Sequence, residues 1–439
     1  MIIAIAAPVL FLIVGGAIDF GRAVQLRSVL QDAVDVASVG SVAINSSAYK
    51  IALTMGSGDI SQGLDQAESI FASNLPQARE LSSVLMTGKI SKASTLLTSN
   101  LTVTANYRPY MLSLMGVTNL PIRVTASSMS SMPPYIDFYL LLDNTPSMGL
   151  GATYADINKM IAATASAPNE QSCAFACHET GPFSVSHPAT LPERYALSKS
   201  IGAIMRIDVV REATQQLMAT ALKTQSVPGQ FRMSIYDFGQ SAQSISLNAP
   251  VPYQVSALTP DLTKSALDAS GIDLMTIPYQ NYNTDQQTNF KSVMAYMNQP
   301  SVIANPGDGT TASTPQKVLF FVSDGMMDSY DCSQGGGCRR LGGIDVQTCT
   351  DIKSRGIRIA VLYTSYLRLK DNPQLQTQVP DKWYSQNVDP LLYPTNQVAT
   401  NMQACASPGL YFEVTPSQGI PEAMTALFNK VVSVVRINS

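Results

Sequence analysis

Phe138-Tyr139-Leu140-Leu141-Leu142-Asp143-Asn144-Thr145-Pro146-Ser147 is an apolar run that ends on an aspartate, with hydroxyl side chains two and four residues beyond it. A short run with no polar alternation is what a strand needs when both faces of its sheet are covered, as in parallel sheets. In such sheets ligands sit beyond the carboxyl ends of the strands, where Asp143 falls.

The pattern recurs at Val318-Leu319-Phe320-Phe321-Val322-Ser323, which ends on Asp324 before Gly325. Strands are predicted at Ile136–Leu142, Phe231–Phe238, Lys317–Ser323, Ile357–Tyr363 and Leu410–Val414. Helical patterns alternate with them at Met205–Leu222, which carries Asp208 in its first turn, at Phe290–Met297, at Ile344–Ser354 ahead of Gly356, and at Pro421–Val434. The expected class is α/β, a doubly wound, mainly parallel, Rossmann-like sheet.

Hard cations such as Mg²⁺ take oxygen ligands, retain water and need few carboxylates, which two aspartates with neighbouring hydroxyls can supply. The competing reading is a turn that only caps a helix, a place where Asp, Ser and Thr are favoured in any case. Asp143-Asn144-Thr145-Pro146-Ser147 resembles the D-x-S-x-S turn of von Willebrand factor A (vWA) domains, with Thr145 in place of the first serine. The resemblance covers residues 135–439. It implies a metal ion-dependent adhesion site (MIDAS) formed by Asp143, Thr145, Ser147, Asp324 and a separate threonine. Thr288 is the better match for that threonine and Thr284 competes. The cation implied is Mg²⁺, with Ca²⁺ or Mn²⁺ as alternatives.

At 439 residues the chain exceeds what one core usually supports, so further units are expected. Ile2–Ile18 is uncharged and mostly apolar. As a helix it would span about 25 Å, against a hydrocarbon core of about 30 Å. Residues 1–18 are expected to be a retained transmembrane helix, since no small-x-small cleavage site precedes a mature start. Arg22 and Arg27 follow the run and no basic residue precedes it, so a basic leader upstream would restore the expected charge order. A broad apolar stripe from Val24 to Val39 could prolong the helix. Beyond it come a helical pattern at Gly63–Leu81 and alternating strands at Leu101–Tyr107 and Ile122–Ala126, giving a small α+β module over residues 19–132. Ser127–Pro134 is small, polar and proline-terminated, unsuited to a helix or a central strand, and marks a boundary.

Gly15-Gly16-Ala17-Ile18-Asp19-Phe20-Gly21-Arg22 and Leu30-Gln31-Asp32-Ala33-Val34-Asp35 are similar to the start of TadG-like proteins of tight-adherence (Tad/Flp) pilus systems, which also end in a vWA domain. An insertion at about 150–204, bearing Cys173-Ala174-Phe175-Ala176-Cys177-His178, resembles one seen in TadG-like chains. The resemblance implies a pilin-like TadE/TadG module, a single-pass inner-membrane protein with its bulk in the periplasm, and vWA contacts with other pilus-assembly or envelope proteins. A secreted or surface-displayed adhesin is the alternative.

The six cysteines, Cys173, Cys177, Cys332, Cys338, Cys349 and Cys405, suit an oxidising compartment. Cys173 and Cys177 break the C-x-x-C-H spacing of haem attachment and lack a clear fourth zinc ligand, so a disulfide is favoured there. Cys332 with Cys338 and Cys349 with Cys405 invite the same reading, although six cysteines permit 15 connectivities.

A net charge of -3 with 13% charged residues provides no basic stripe for nucleic acid. No G-x-S-x-G elbow, phosphate loop or H-E-x-x-H motif occurs, and the only histidines, His178 and His187, lie in the insertion. A metal-dependent hydrolase using Asp143, Asp324 and His178 is the weakest reading, and no enzyme activity is expected.

Overall fold

The computed structural model describes residues 2–75, 79–166, 172–176, 178–179, 194–239, 252–277, 286–332, 337–366, 386–414 and 419–438. The chain divides into two compact units. The first is Met1–Pro134 with Thr310–Ala312, and the second is Tyr135–Gly309 with Ser313–Asn438.

The first unit begins with α1, a 40-residue helix Ile2–Ser41 that fuses the apolar run and the later stripe. Leu26, Leu30, Ala33, Val34 and Ala37 recur at helical spacing and are buried on the sheet beneath. Leu10, Phe11, Ile13, Val14 and Ile18 stand exposed. Among the described residues no helix is long and apolar enough to cross a membrane, so the span expected over 1–18 is present here only as the start of α1.

Helix α2, Ser61–Asn74, stops well short of the expected Leu81, because Leu75 precedes Pro76 and takes an extended conformation. Strands β1 (Leu81–Ala93), β2 (Leu96–Tyr107) and β3 (Leu120–Ser131) form an antiparallel sheet in that order, with Gly58–Asp59 pairing on the outer side of β1. Along β2 the alternate residues Leu97, Ser99, Leu101, Val103, Ala105 and Tyr107 are buried. The polar stretch from Ser127 does continue a strand as far as Ser131, which is possible because β3 is an edge.

In the second unit the sheet order is β9-β8-β7-β4-β5-β6. Strand β4 is Ile136–Leu142, β5 Phe231–Asp237, β6 Tyr253–Thr259, β7 Gln316–Ser323, β8 Arg358–Thr364 and β9 Tyr411–Val414. All pairings are parallel except β5 with β6. The mainly parallel α/β sheet is therefore present, with one antiparallel edge strand that the apolar pattern did not reveal, since β6 is largely half-exposed.

Two cores enclose the sheet. On one face α3 (Arg206–Thr224) and α7 (Ile420–Asn438) cover a cluster in which Phe138, Phe231 and Phe428 meet ring to ring. On the other, α4 (Phe290–Met297), α5 (Val346–Ser354) and α6 (Gln397–Cys405) cover Phe238, Phe290 and Phe321. A disulfide joins Cys349 of α5 to Cys405 of α6, and a second joins Cys332 to Cys338. The Cys173–Cys177 pairing lies outside the described residues because Cys177 is not among them. At the amino edge of the sheet, buried Asp137 on β4 takes both nitrogens of Arg232 from β5 at 2.7 Å and Lys317 from β7, fixing the register of three adjacent strands.

Candidate metal centre

At the carboxyl edge, adjacent central strands end together, with Val322 of β7 beside Leu142 of β4. The next residues, Asp324 after Ser323 and Asp143 directly after Leu142, are therefore delivered to one place. Both are fully buried. Asp324 can turn away from its strand because Gly325 is left-handed (φ 71°), and a Cβ there would stand 2.7 Å from Met402.

The hydroxyls converge on the same point. Thr145 donates from its backbone nitrogen (3.0 Å) and hydroxyl (2.7 Å) to Asp143 Oδ1. Its Oγ1 lies 3.3 Å from Ser147 Oγ and accepts from Thr288 Oγ1 at 2.9 Å. Ser147 also bonds Asp324. Thr288 reaches the site from the short strand Gln287–Thr288 just ahead of α4, whose start Asn289 caps. Asp143, Thr145, Ser147, Thr288 and Asp324 are thus brought together, whereas Thr284 lies outside the described residues.

The donor set fits a hard cation. Oxygens about 2.1 Å from Mg²⁺ in an octahedron stand about 3 Å from their neighbours, and the separations here run from 2.7 to 3.3 Å. Among the described residues no cluster of three or more His, Cys, Asp or Glu side chains is arranged to hold a metal, so any site here depends on hydroxyls as much as carboxylates.

Four further residues shape the site and were not evident in the sequence. Ser323 donates to Asp143 Oδ2 at 2.5 Å and accepts from the Gly325 amide. Asn144 ties the turn to the end of β5, donating to the Gly239 carbonyl at 2.7 Å and accepting from its amide. Arg206, the first residue of α3 and 2% exposed, places Nη1 3.3 Å from Asp324 Oδ2 and Nη2 3.1 Å from the Ser365 carbonyl. Asp237, ending β5, is buried with no hydrogen-bond partner for Oδ1.

Burial is the main influence on all three carboxyl groups. Burial and then the proximity of Asp324 raise Asp143, against hydrogen bonds from Ser323 and Thr145. Burial raises Asp324 too, with Arg206 opposing it. Asp237 is driven well above the usual range by burial, Asp273 and Asp143. Burial thus makes negative charge on these carboxyls costly unless a neighbouring group compensates it.

Comparison with known proteins adds a family at the N-terminus: residues 3–38 match TadE-like proteins. No curated protein sequence matches the chain. Among solved structures, the von Willebrand factor domain of the type V pili tip protein Mfa5 from Porphyromonas gingivalis is similar at 8% identity and a TM-score of 0.36, covering 70% of this chain and 97% of that one. The PilB minor pilin from Streptococcus sanguinis is similar at 11% and 0.33, covering 82% and 78%. Proximal thread matrix protein 1 from the mussel byssus, with a zinc-occupied MIDAS motif, is similar at 10% and 0.32, covering 70% and 46%. At these values the reading of the second unit rests on its own strand order and aspartate turn. A TadE-like start thus precedes a unit with this strand order and aspartate turn.

Proposed function

We propose that the protein is a non-enzymatic component of Tad/Flp pilus assembly, anchored in the inner membrane through α1, with a periplasmic vWA unit that binds other pilus or envelope proteins through a MIDAS-like site. The observation that carries this reading is the convergence of Asp143, Thr145, Ser147, Thr288 and Asp324 at one sheet edge, with oxygen spacings suited to octahedral coordination. A divalent cation held there, Mg²⁺ first, offers a coordination position to a carboxylate of a partner protein.

The chain's own residues prepare that contact. Asp143 and the hydroxyls of Thr145, Ser147 and Thr288 present oxygens from different segments, Ser323 orients Asp143, and Asn144 holds the turn against β5. Arg206 balances Asp324, so the site carries one compensated and one uncompensated carboxylate. Anchoring is supported by the TadE-like match and by the uncharged, exposed face of α1 from Leu10 to Ile18.

The test is calorimetric titration of the full chain with Mg²⁺, alongside Mg²⁺-dependent capture of the chain's own pilus-assembly proteins. Asp143→Asn should abolish both signals while circular dichroism remains unchanged. Retention of Mg²⁺ binding and capture in that variant, or capture that persists in chelator, would remove the mechanism.

A further inference from the structure

The first unit carries a loop that the anchoring role does not use. Between β2 and β3 the chain runs uncharged from Pro109 to Asn119, with exposed Arg108 before it and exposed Arg123 early in β3. Its tip, a short 3₁₀ turn over Leu112–Met115, buries nothing. Leu114 is 78% exposed, Tyr110 67% and Met115 57%.

Water-facing loops rarely carry large apolar side chains in series, and here they belong to a larger surface. The loop lies against α1 at Gly15 and Gly16. A Cβ at Gly15 would stand 2.7 Å from Met111 Cβ, and one at Gly16 3.4 Å from Leu112. Beside that contact, Leu10, Phe11, Ile13, Val14 and Ile18 of α1 are exposed. Helix and loop thus present one apolar surface with no charged side chain.

The loop is also deliberately held. Asp19, the first charged residue of α1, is buried rather than turned to solvent, and it accepts from the amides of Tyr110 (3.0 Å), Met111 (2.8 Å) and Leu112 (2.7 Å) and from the Tyr107 hydroxyl (3.2 Å). These bonds satisfy the loop's backbone donors and mask the negative charge that would otherwise sit at the edge of the apolar surface.

We propose that the Pro109–Asn119 loop is a second membrane-contacting element, inserting Leu114 and Met115 into the interfacial layer of an anionic phospholipid bilayer beside α1. The inference rests on the membrane anchoring proposed above. The chemistry fits a lipid surface in three ways. The side chains at the tip are apolar, Tyr110 is of the type that settles at headgroup level, and Arg108 and Arg123 are placed to meet lipid phosphates. Gly15 and Gly16 lie only about two residues inside the end of the apolar run, a rise of roughly 4 Å, so the loop sits at the boundary layer and not deep in hydrocarbon.

The experiment uses the full chain with its single tryptophan removed (Trp383→Phe), reconstituted in vesicles of phosphatidylcholine and phosphatidylglycerol brominated on the acyl chains. One reporter is introduced per variant: Leu114→Trp or Met115→Trp in the loop, Phe11→Trp in α1, and Met129→Trp as control. Met129 is 68% exposed and lies nine residues along β3 from Leu120, about 30 Å from the loop. Both loop reporters and Phe11→Trp should be quenched at least roughly twofold more than Met129→Trp, as expected for side chains within ~5–10 Å of the headgroup boundary. Quenching of Phe11→Trp with loop reporters no different from Met129→Trp overturns the inference and leaves the helical anchor standing. Absence of quenching at Phe11→Trp as well overturns both. Loop reporters that escape brominated lipid yet are shielded from aqueous acrylamide would mean that protein, such as a second copy of the chain, covers the loop, and the inference fails.

Discussion

Replacing Asp19 by Asn tests how the 110–112 segment is held, with almost no change in shape. Oδ1 of Asp19 accepts from the Tyr110 amide and the Tyr107 hydroxyl, and Oδ2 from the amides of Met111 and Leu112. Asparagine keeps one acceptor oxygen and sets an amino group against the other pair of donors, whichever way its amide is turned. Hydrogen bonds to a charged acceptor are worth about 1.5–3 kcal/mol each, so losing two could cost up to ~6 kcal/mol. Asp19 is covered by the very loop it holds, and freed donors can swing out to water, so we take the lower end, ~3 kcal/mol. Amide exchange at residues 110–112 should then accelerate on the order of a hundredfold, while amides of β2 under α1 change little. Exchange that speeds up less than about threefold would refute the claim that the carboxylate organises the loop.

The same group sets a pH dependence. Burial opposes its ionisation, but the three amides and Tyr107 outweigh burial and hold Asp19 below the ordinary carboxylate range. A depressed folded value means that the stabilisation is complete above the unfolded value, about 3.9, and is lost as pH falls through the folded one. Protection of residues 110–112 relative to β2 should therefore be constant at neutral pH and decline only below that range, and the Asn variant should show no such decline.

Further outcomes follow from other contacts. Gly15→Val forces a Cβ against Met111 Cβ at 2.7 Å and should cost ~1–3 kcal/mol, read as faster exchange in the same loop. Cys349→Ser opens a loop with a sequence separation of 56 and should cost ~4 kcal/mol in the second unit's unfolding, measured by denaturant titration, with the first unit unaffected. Arg206→Gln removes the positive group beside Asp324. The cation-free protein should lose stability while its Mg²⁺ affinity rises about tenfold or more by calorimetry, and a fall in affinity would show that Arg206 supports the site instead of competing with it.

Much of the second unit is legible because its strands are buried on both faces. The runs at Phe138–Leu142 and Val318–Val322 lack charge and alternation, and Asp143 follows the first directly and Asp324 the second after Ser323, so order along the chain already implies adjacency at one edge. Strand β6 hides because only Ser256 of its seven residues is buried, and β1 because its burial pattern is broken by a register shift between Ser82 and Leu85. The neighbours of Asp143 are illegible for another reason. Ser323 looks like the end of a strand, Asn144 like a turn residue and Arg206 like a helix start. Their roles arise from contacts across more than 90 residues of chain, which no local pattern encodes. The length of α1 was half visible: two apolar patterns met at Asp19, and only the structure shows that the charge between them is absorbed by a loop and interrupts nothing.

That continuity has a mechanical side. Helix α1 runs from Ile2 to Ser41, about 60 Å, and beyond Pro8, which lacks a backbone donor, its exposed apolar stretch continues as helix into the part gripped by the first unit. A pull on that stretch is directed along the helix toward Leu30, Val34 and Ala37, which are buried against the sheet. The Asp19 clasp lies at the entry to that grip and is the first contact strained. Tension along the helix would therefore detach the 110–117 loop before it reached the core, making the loop a mechanical fuse for the unit behind it.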